Sequence, residues 1–169
     1  MGPHAGETAE IIFERKIEDV KRTGLTFWCI ESYKAKPDQV QELCNTTQVE
    51  VYFISPSSPG GAKDTKTETK NTQYSIDKKN YLQIPQNITP VTGKGSALIL
   101  DQLQNVNEEL DLNQYAEFNK NTPLKFALGC STICAIKKDM SSHPDRVKSN
   151  KRKIWAKGRL REPFCVWIK

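Results

Sequence analysis

Apolar residues recur along the chain with two different periods, and these predict its elements. Phe13, Ile17 and Val20 fall at helical spacing, which predicts a helix over Thr8 to Arg22 with Thr8 as N-cap and Gly24 as the stop. A strand beginning near Glu10 is the competing reading. From Leu25 to Tyr33 the period shortens to two. Both faces of that segment are apolar in the middle, which predicts a central strand. Lys36-Pro37-Asp38 opens a short helix through Cys44, with Val40, Leu43 and Cys44 on one face. Gln48 to Ile54 is β-branched and aromatic and reads as a second strand.

Ser55 to Gln73 breaks the pattern. It holds Pro56, Pro59, Gly60, Gly61 and a Thr/Lys alternation, and reads as a long flexible loop joining strands of one sheet. Tyr74 to Ile84 is extended again, and Gln86 to Thr92 is a turn region. Gly95 to Leu103 reads as a strand centred on Ala97 to Leu100. Asn105 to Phe118 is polar with spaced anchors at Val106, Leu110, Tyr115 and Phe118; it reads either as a helix or as part of a long hairpin. Leu124 to Ile136 alternates and is read as a strand, with a buried helix after Pro123 as the competitor. Lys137 to Arg152 is a polar, basic loop, and Ile154 to Ile168 a last extended segment or hairpin. No segment repeats. The sum is a single α+β domain over residues 1–169, mostly antiparallel sheet with two or three short helices and a mobile loop at 55–73.

Composition agrees with one ordinary domain. The chain has 169 residues, 37% of them hydrophobic, and no apolar run long enough to span a bilayer as a helix. Met1 to Glu10 lacks the apolar core of a secretory signal. Pro3 and Gly6 argue against myristoylation at Gly2, and Cys165 stands one place off a prenylation box. The five cysteines read as reduced thiols of an intracellular protein, cytoplasmic or nuclear. Asn45-Thr46-Thr47 and Asn87-Ile88-Thr89 match the glycosylation pattern and keep open a secreted, glycosylated β-rich domain.

Charge changes the picture most. Lys137 to Lys169 carries eleven Lys and Arg against Asp139, Asp145 and Glu162, a net +8, whereas the first 136 residues carry −3. Such asymmetry points to a polyanionic partner: nucleic acid or nucleoprotein, an anionic membrane surface or an acidic protein. Catalytic chemistry has little to stand on. His4 lies near the N-terminus and His143 in the basic loop, and Gly93-Lys94-Gly95-Ser96 lacks the first glycine of a phosphate loop. Cys130 and Cys134 share an apolar face with no second ligand pair, so no metal is expected. No cofactor, small-molecule substrate or enzymatic activity is expected.

The candidate binding residues are Lys148, Lys151, Arg152, Lys153, Trp155, Lys157, Arg159 and Arg161. Lysine and arginine gain at a polyanion through counterion release, and an interleaved tryptophan stacks on an unpaired base or anchors at a lipid interface. Strict alternation would put Lys151, Lys153, Trp155, Lys157, Arg159 and Arg161 on one face, with Arg152, Ile154, Ala156 and Leu160 on the other. A charged edge strand that only protects the sheet is the competing reading. Lys137-Lys138 and Lys151-Arg152-Lys153 also fit the two halves of a bipartite nuclear-import signal.

The polar Ser55–Gln73 loop, the signal-free N-terminus and the basic Lys137–Arg161 segment together resemble the small basic matrix proteins of negative-strand RNA viruses. The resemblance is one of organisation. It implies a compact, non-enzymatic α+β protein of the viral particle that self-associates and bridges nucleocapsid and membrane. It assigns no residue a role. A module that docks a partner protein through loop 55–73 or a sheet edge is the other reading.

Overall fold

A computed structural model of the chain describes residues 9–30, 35–54, 72–88, 95–118, 133–139 and 151–169. Helix α1 (Ala9–Thr23) is followed by strand β1 (Thr26–Ile30), helix α2 (Pro37–Thr46) and strand β2 (Glu50–Ile54). Then come β3 (Gln73–Ser75), β4 (Leu82–Gln83) and the long β5 (Gly95–Asp111). A 3-10 turn at Leu112–Gln114 leads into β6 (Tyr115–Glu117), and β7 (Ile136–Lys138) and β8 (Lys151–Ile168) complete the chain. The fold is α+β with a mostly antiparallel sheet, as the sequence pattern predicts.

Helix α1 forms where the apolar spacing places it. Gly24 ends it at φ +81°, and its N–H donates to the Val20 carbonyl at 2.8 Å. Helix α2 starts on Pro37, whose missing N–H costs nothing in a first turn, and closes with Thr47 N–H donating to Leu43 O at 3.0 Å.

Six strands form the main sheet in the order β1-β5-β8-β3-β4, with β2 also paired to β8. A second, two-stranded sheet pairs β6 with β7. The frame is the β5–β8 ribbon, registered from Gly95↔Ile168 at one end to Asp111↔Lys151 at the other.

The sheet is packed on both faces. On the helix side Phe13, Trp28, Ile30, Leu98, Leu100 and Cys165 form the main core. On the opposite side Phe27, Ala97, Ile99 and Val166 are covered by Tyr74, Ile84 and Ile88. A third cluster, Leu110, Leu112 and Ile154, packs with Tyr52, Tyr115 and Ile136 at the far end of the ribbon.

Several expectations change. Asn105 to Asp111, read either as helix or as part of a long hairpin, is strand: β5 runs on because β8 pairs with it, and tertiary pairing outweighs the weak strand propensity of its Asn and Glu. The last segment is one strand rather than a hairpin, and it starts at Lys151. Lys137, Lys138, Lys151 and Arg152, expected in a loop, lie on strands β7 and β8. The Tyr74–Ile84 segment is two short strands around a turn at Ile76–Asn80. Of loop 55–73 only Thr72 and Gln73 fall within the described residues, and of the Leu124–Ile136 strand only Ile133 to Ile136.

Candidate nucleic-acid interface

The basic residues of β8 do not form the single stripe that strict alternation predicts. Ala156 pairs with Phe53 of β2 and Asn105 of β5, whereas Ile154 pairs with Ile54 and Glu108. Against β2, Trp155 is therefore the extra residue of a β-bulge, whereas on the β5 side it faces two residues, Val106 and Asn107. A bulge re-aims the side chain it carries. Here it turns Trp155 to the helix side together with Ala156, where both pack into the main core. The Trp155 and Phe13 rings meet edge to face with centroids 6.2 Å apart. Trp155 is thus half-buried against α1 rather than presented for base stacking.

The same bulge divides the cations. Lys151 and Lys153 alternate with Ile154 and lie on the helix side of the ribbon. Lys157 pairs with Tyr52 and shares the opposite side with Ile154. Its Nζ reaches Glu108 Oε2 at 2.6 Å and lies 5.5 Å from the centre of the Tyr52 ring. Tyr52 in turn donates to Glu50, and that hydrogen bond, aided by burial, raises the phenol above its ordinary value.

Acidic residues of β5 oppose the basic strand. Arg159 donates from Nε to Asp101 Oδ1 at 2.8 Å and from Nη2 to Oδ2 at 3.1 Å, a two-pronged pair that raises the guanidinium pKa further. Lys151 lies 3.8 Å from Glu109. Lys153 stands opposite Glu109, and Lys151 opposite Asp111, in the strand register. The +8 segment of the sequence is therefore interleaved in space with Asp101, Glu108, Glu109 and Asp111.

The remaining candidates are placed as follows. Arg161 opens an irregular stretch, residues 161–164, between the Leu100↔Leu160 and Leu98↔Cys165 pairs. It is exposed, and its Nη1 donates to Gly24 O at 3.5 Å. Arg152 is half-buried and donates to Lys151 O at 3.4 Å. Lys148 lies outside the described residues, as do Cys130 and His143. Lys137 and Lys138 stand on β7, where Lys138 pairs with Tyr115 and Lys137 with Ala116. Ile136 of the same strand packs against the Ile154 cluster, so β7 is held at the end of the ribbon where β8 begins. Both halves of the proposed import signal thus meet at one end of the fold, among Glu109, Asp111, Glu117 and Asp139.

Lys157 and Arg159 also line an open groove of about 420 Å³ with Glu50, Gln102, Gln104 and Phe164. Among the described residues no three His, Cys, Asp or Glu side chains converge as a metal site. Cys44 and Cys165 are free thiols, and among the described residues no helix is long and apolar enough to cross a membrane.

Comparison of the chain with protein-family models, curated proteins and solved structures finds no match.

One buried polar network has no counterpart in the sequence pattern. Asp19, fully buried on α1, accepts from Arg22 Nη2 at 3.0 Å and from Thr26 Oγ1 at 3.2 Å. Arg22 also donates to the Asn87 carbonyl, tying α1 to the segment behind the sheet. Lys16 is buried one turn away, and burial, opposed by Asp19, pushes its pKa down to about 8. An alternating or helical pattern marks apolar faces, and an ionic residue placed within one carries no local signal of its pairing.

Proposed function

We propose that the chain is a non-enzymatic nucleic-acid-binding protein of matrix-like organisation, and that it engages phosphates at the far end of the β5–β8 ribbon. The observation that carries this reading is the packing of Ile136 against the Ile154 cluster, which brings Lys137 and Lys138 to the same end as Lys151, Arg152 and Lys153. Lys138, Lys151 and Lys153 are exposed there. The contacts are electrostatic and sequence-independent, made by side chains that track a phosphate backbone. Trp155, Lys157 and Arg159 act differently in this reading. Trp155 braces α1, while Lys157 and Arg159 tie β8 to the acids of β5.

The experiment is a salt titration of binding to single-stranded RNA, duplex DNA and anionic vesicles, for the wild-type chain and for Lys138→Ala/Arg152→Ala/Lys153→Ala. Each phosphate contact contributes about 0.7 to the log–log salt slope on a single strand. The triple variant is expected to lose roughly two units of that slope on RNA. Equal affinity and equal slope for both proteins would remove the reading. Loss confined to vesicles would reassign the patch to a membrane surface.

A further inference from the structure

The two most exposed large apolar side chains among the described residues sit in one hairpin. They are Ile76, at the first position of the β3–β4 turn, and Leu82, in β4 just beyond it, 55% and 57% exposed. Scattered exposed aliphatics are ordinary, so the pair means something only in its surroundings. Those surroundings are aromatic and cationic. The Lys78 ammonium lies 3.9 Å from the centre of the Trp167 ring, and Lys169 lies 5.0 Å from that of Tyr81. Lys79 is exposed at the turn. Lys36, just before α2, shares with Ile76, Lys78 and Trp167 the wall of a concavity of about 540 Å³.

The acids nearby do not cancel this charge. Asp77 accepts from Ser75 Oγ at 3.0 Å and from the N–H groups of Lys79 and Asn80 at 2.9 and 3.4 Å, bonds that favour its charged form. Asp38 is the other carboxylate on the wall, so two acids stand against four lysines, Lys36 and Lys78 on the wall with Lys79 and Lys169 on the hairpin and its neighbouring strand end, which leaves +2.

We propose that the β3–β4 hairpin docks on the surface of an anionic phospholipid bilayer, with Ile76 and Leu82 in the acyl boundary and the four lysines at the headgroups. Charge complementarity selects an anionic partner, and three features select lipid. Trp and Tyr at the rim of an apolar tip, with Lys beside them, is the chemistry of a membrane–water interface. A nucleic acid would use the ring faces for stacking, but a lysine lies over one face of Trp167 and another over one face of Tyr81. It would also leave the two aliphatic side chains in water. A peptide added as a further strand would find an edge only two residues long in β4. The site lies at the opposite end of the ribbon from Lys151, since β3 pairs with β8 at Trp167 and Ile168. It is therefore independent of the nucleic-acid reading above.

The test is co-sedimentation of the full chain with vesicles of phosphatidylcholine alone and of phosphatidylcholine with phosphatidylserine. The wild type is expected to bind the second and not the first. Ile76→Ser/Leu82→Ser should weaken binding about tenfold or more, because each side chain buries apolar area only in the lipid. Lys78→Ala/Lys79→Ala should weaken it about fivefold per lysine, and less as salt rises. All four positions are exposed, and unchanged circular dichroism and melting would show that the fold is kept. Lys138→Ala/Arg152→Ala/Lys153→Ala should bind vesicles as the wild type does. The proposal is overturned by a wild type that ignores phosphatidylserine vesicles, or by hairpin variants that bind like the wild type. Loss on the triple variant alone would likewise overturn it, because the lipid site would then be at the other end.

Discussion

The Trp155 and Phe13 rings meet at 71°, with centroids 6.2 Å apart. Phe13 also stacks on Trp28 at 5.0 Å and meets Phe53 edge-on at 5.3 Å. One side chain of α1 thus touches β1, β2 and β8 and fastens the helix to the sheet. Phe13→Ala is expected to cost about 3–5 kcal/mol, the range for deleting a buried aromatic ring. Trp155→Phe keeps the contact and should cost much less. Urea unfolding of both variants checks the order, and a Phe13→Ala chain as stable as the wild type would contradict the bracing role.

Gly158 of β8 pairs with Leu103 of β5, and a side chain there would crowd that strand. A Cβ there would lie 3.1 Å from Leu100 Cδ2 and 3.3 Å from the Gln102 carbonyl. Leu100 is fully buried and the carbonyl belongs to the strand, so neither moves freely. Gly158→Ala should lower stability by about 1–3 kcal/mol through overpacking, and Gly158→Val by more. Thermal melts of the two variants provide the measurement.

The pairing of β5 acids with β8 bases predicts a gain on mutation. Asp101→Asn/Glu108→Gln releases Arg159 and Lys157 from their partners. RNA binding should then tighten, with a salt slope steeper by about 0.7 for each cation that finds a phosphate. An unchanged slope would mean that these two cations face no phosphate in the complex. The ion pairs themselves are exposed and screened, so little change in stability is expected.

Lys16 makes stability depend on pH in the direction opposite to most lysines. Its pKa falls from 10.5 to about 8 on folding, with burial as the leading cause. Above about 8 the folded chain has shed this proton while the unfolded chain keeps it until 10.5. The unfolded state then binds more protons, so the Lys16 contribution to stability rises with pH across that window. Below it both states are protonated, and the buried ammonium is a constant cost. Lys16→Met should therefore be more stable at neutral pH, by roughly 1–3 kcal/mol, and its advantage should shrink from about pH 8 upward. Denaturant midpoints of the two proteins across that range decide it.

Cys165 has the reverse sign. Burial pushes its thiol from 9.0 up to about 12. The unfolded chain loses that proton first, so stability falls as pH rises from about 9 to 12. Cys165→Ala should flatten the fall, at a cost of about 1 kcal/mol or more for the space it leaves. An unaltered alkaline limb would place the thiol in water.

The local elements were largely legible. Phe13, Ile17 and Val20 mark α1, Pro37 marks α2, and the apolar runs of β1 and β2 lie near their predicted positions, because helix and strand periods are set by neighbours in the chain. The second half of β5 was legible only as one of two readings. Gln104 to Glu109 is polar apart from Val106 and becomes strand rather than helix because β8, some fifty residues later, pairs with it. Trp155 was misread for a related reason. Alternation is a property of one strand, but a bulge is a mismatch in register between two, and the extra residue opposite Phe53 and Ile54 cannot be seen from β8 alone.

The sequence by itself determined the α+β class, the two helices and the charge split of −3 and +8, all quantities that follow from composition and short-range period. Only the tertiary structure decided what that charge meets. Antiparallel register sets Glu108 beside Lys157, Asp101 beside Arg159 and Glu109 beside Lys151, and packing of Ile136 on the Ile154 cluster gathers the cations of β7 and β8 at one end. Electrostatic energy depends on distance in space, and residues some fifty apart in the chain become neighbours only when the strands pair.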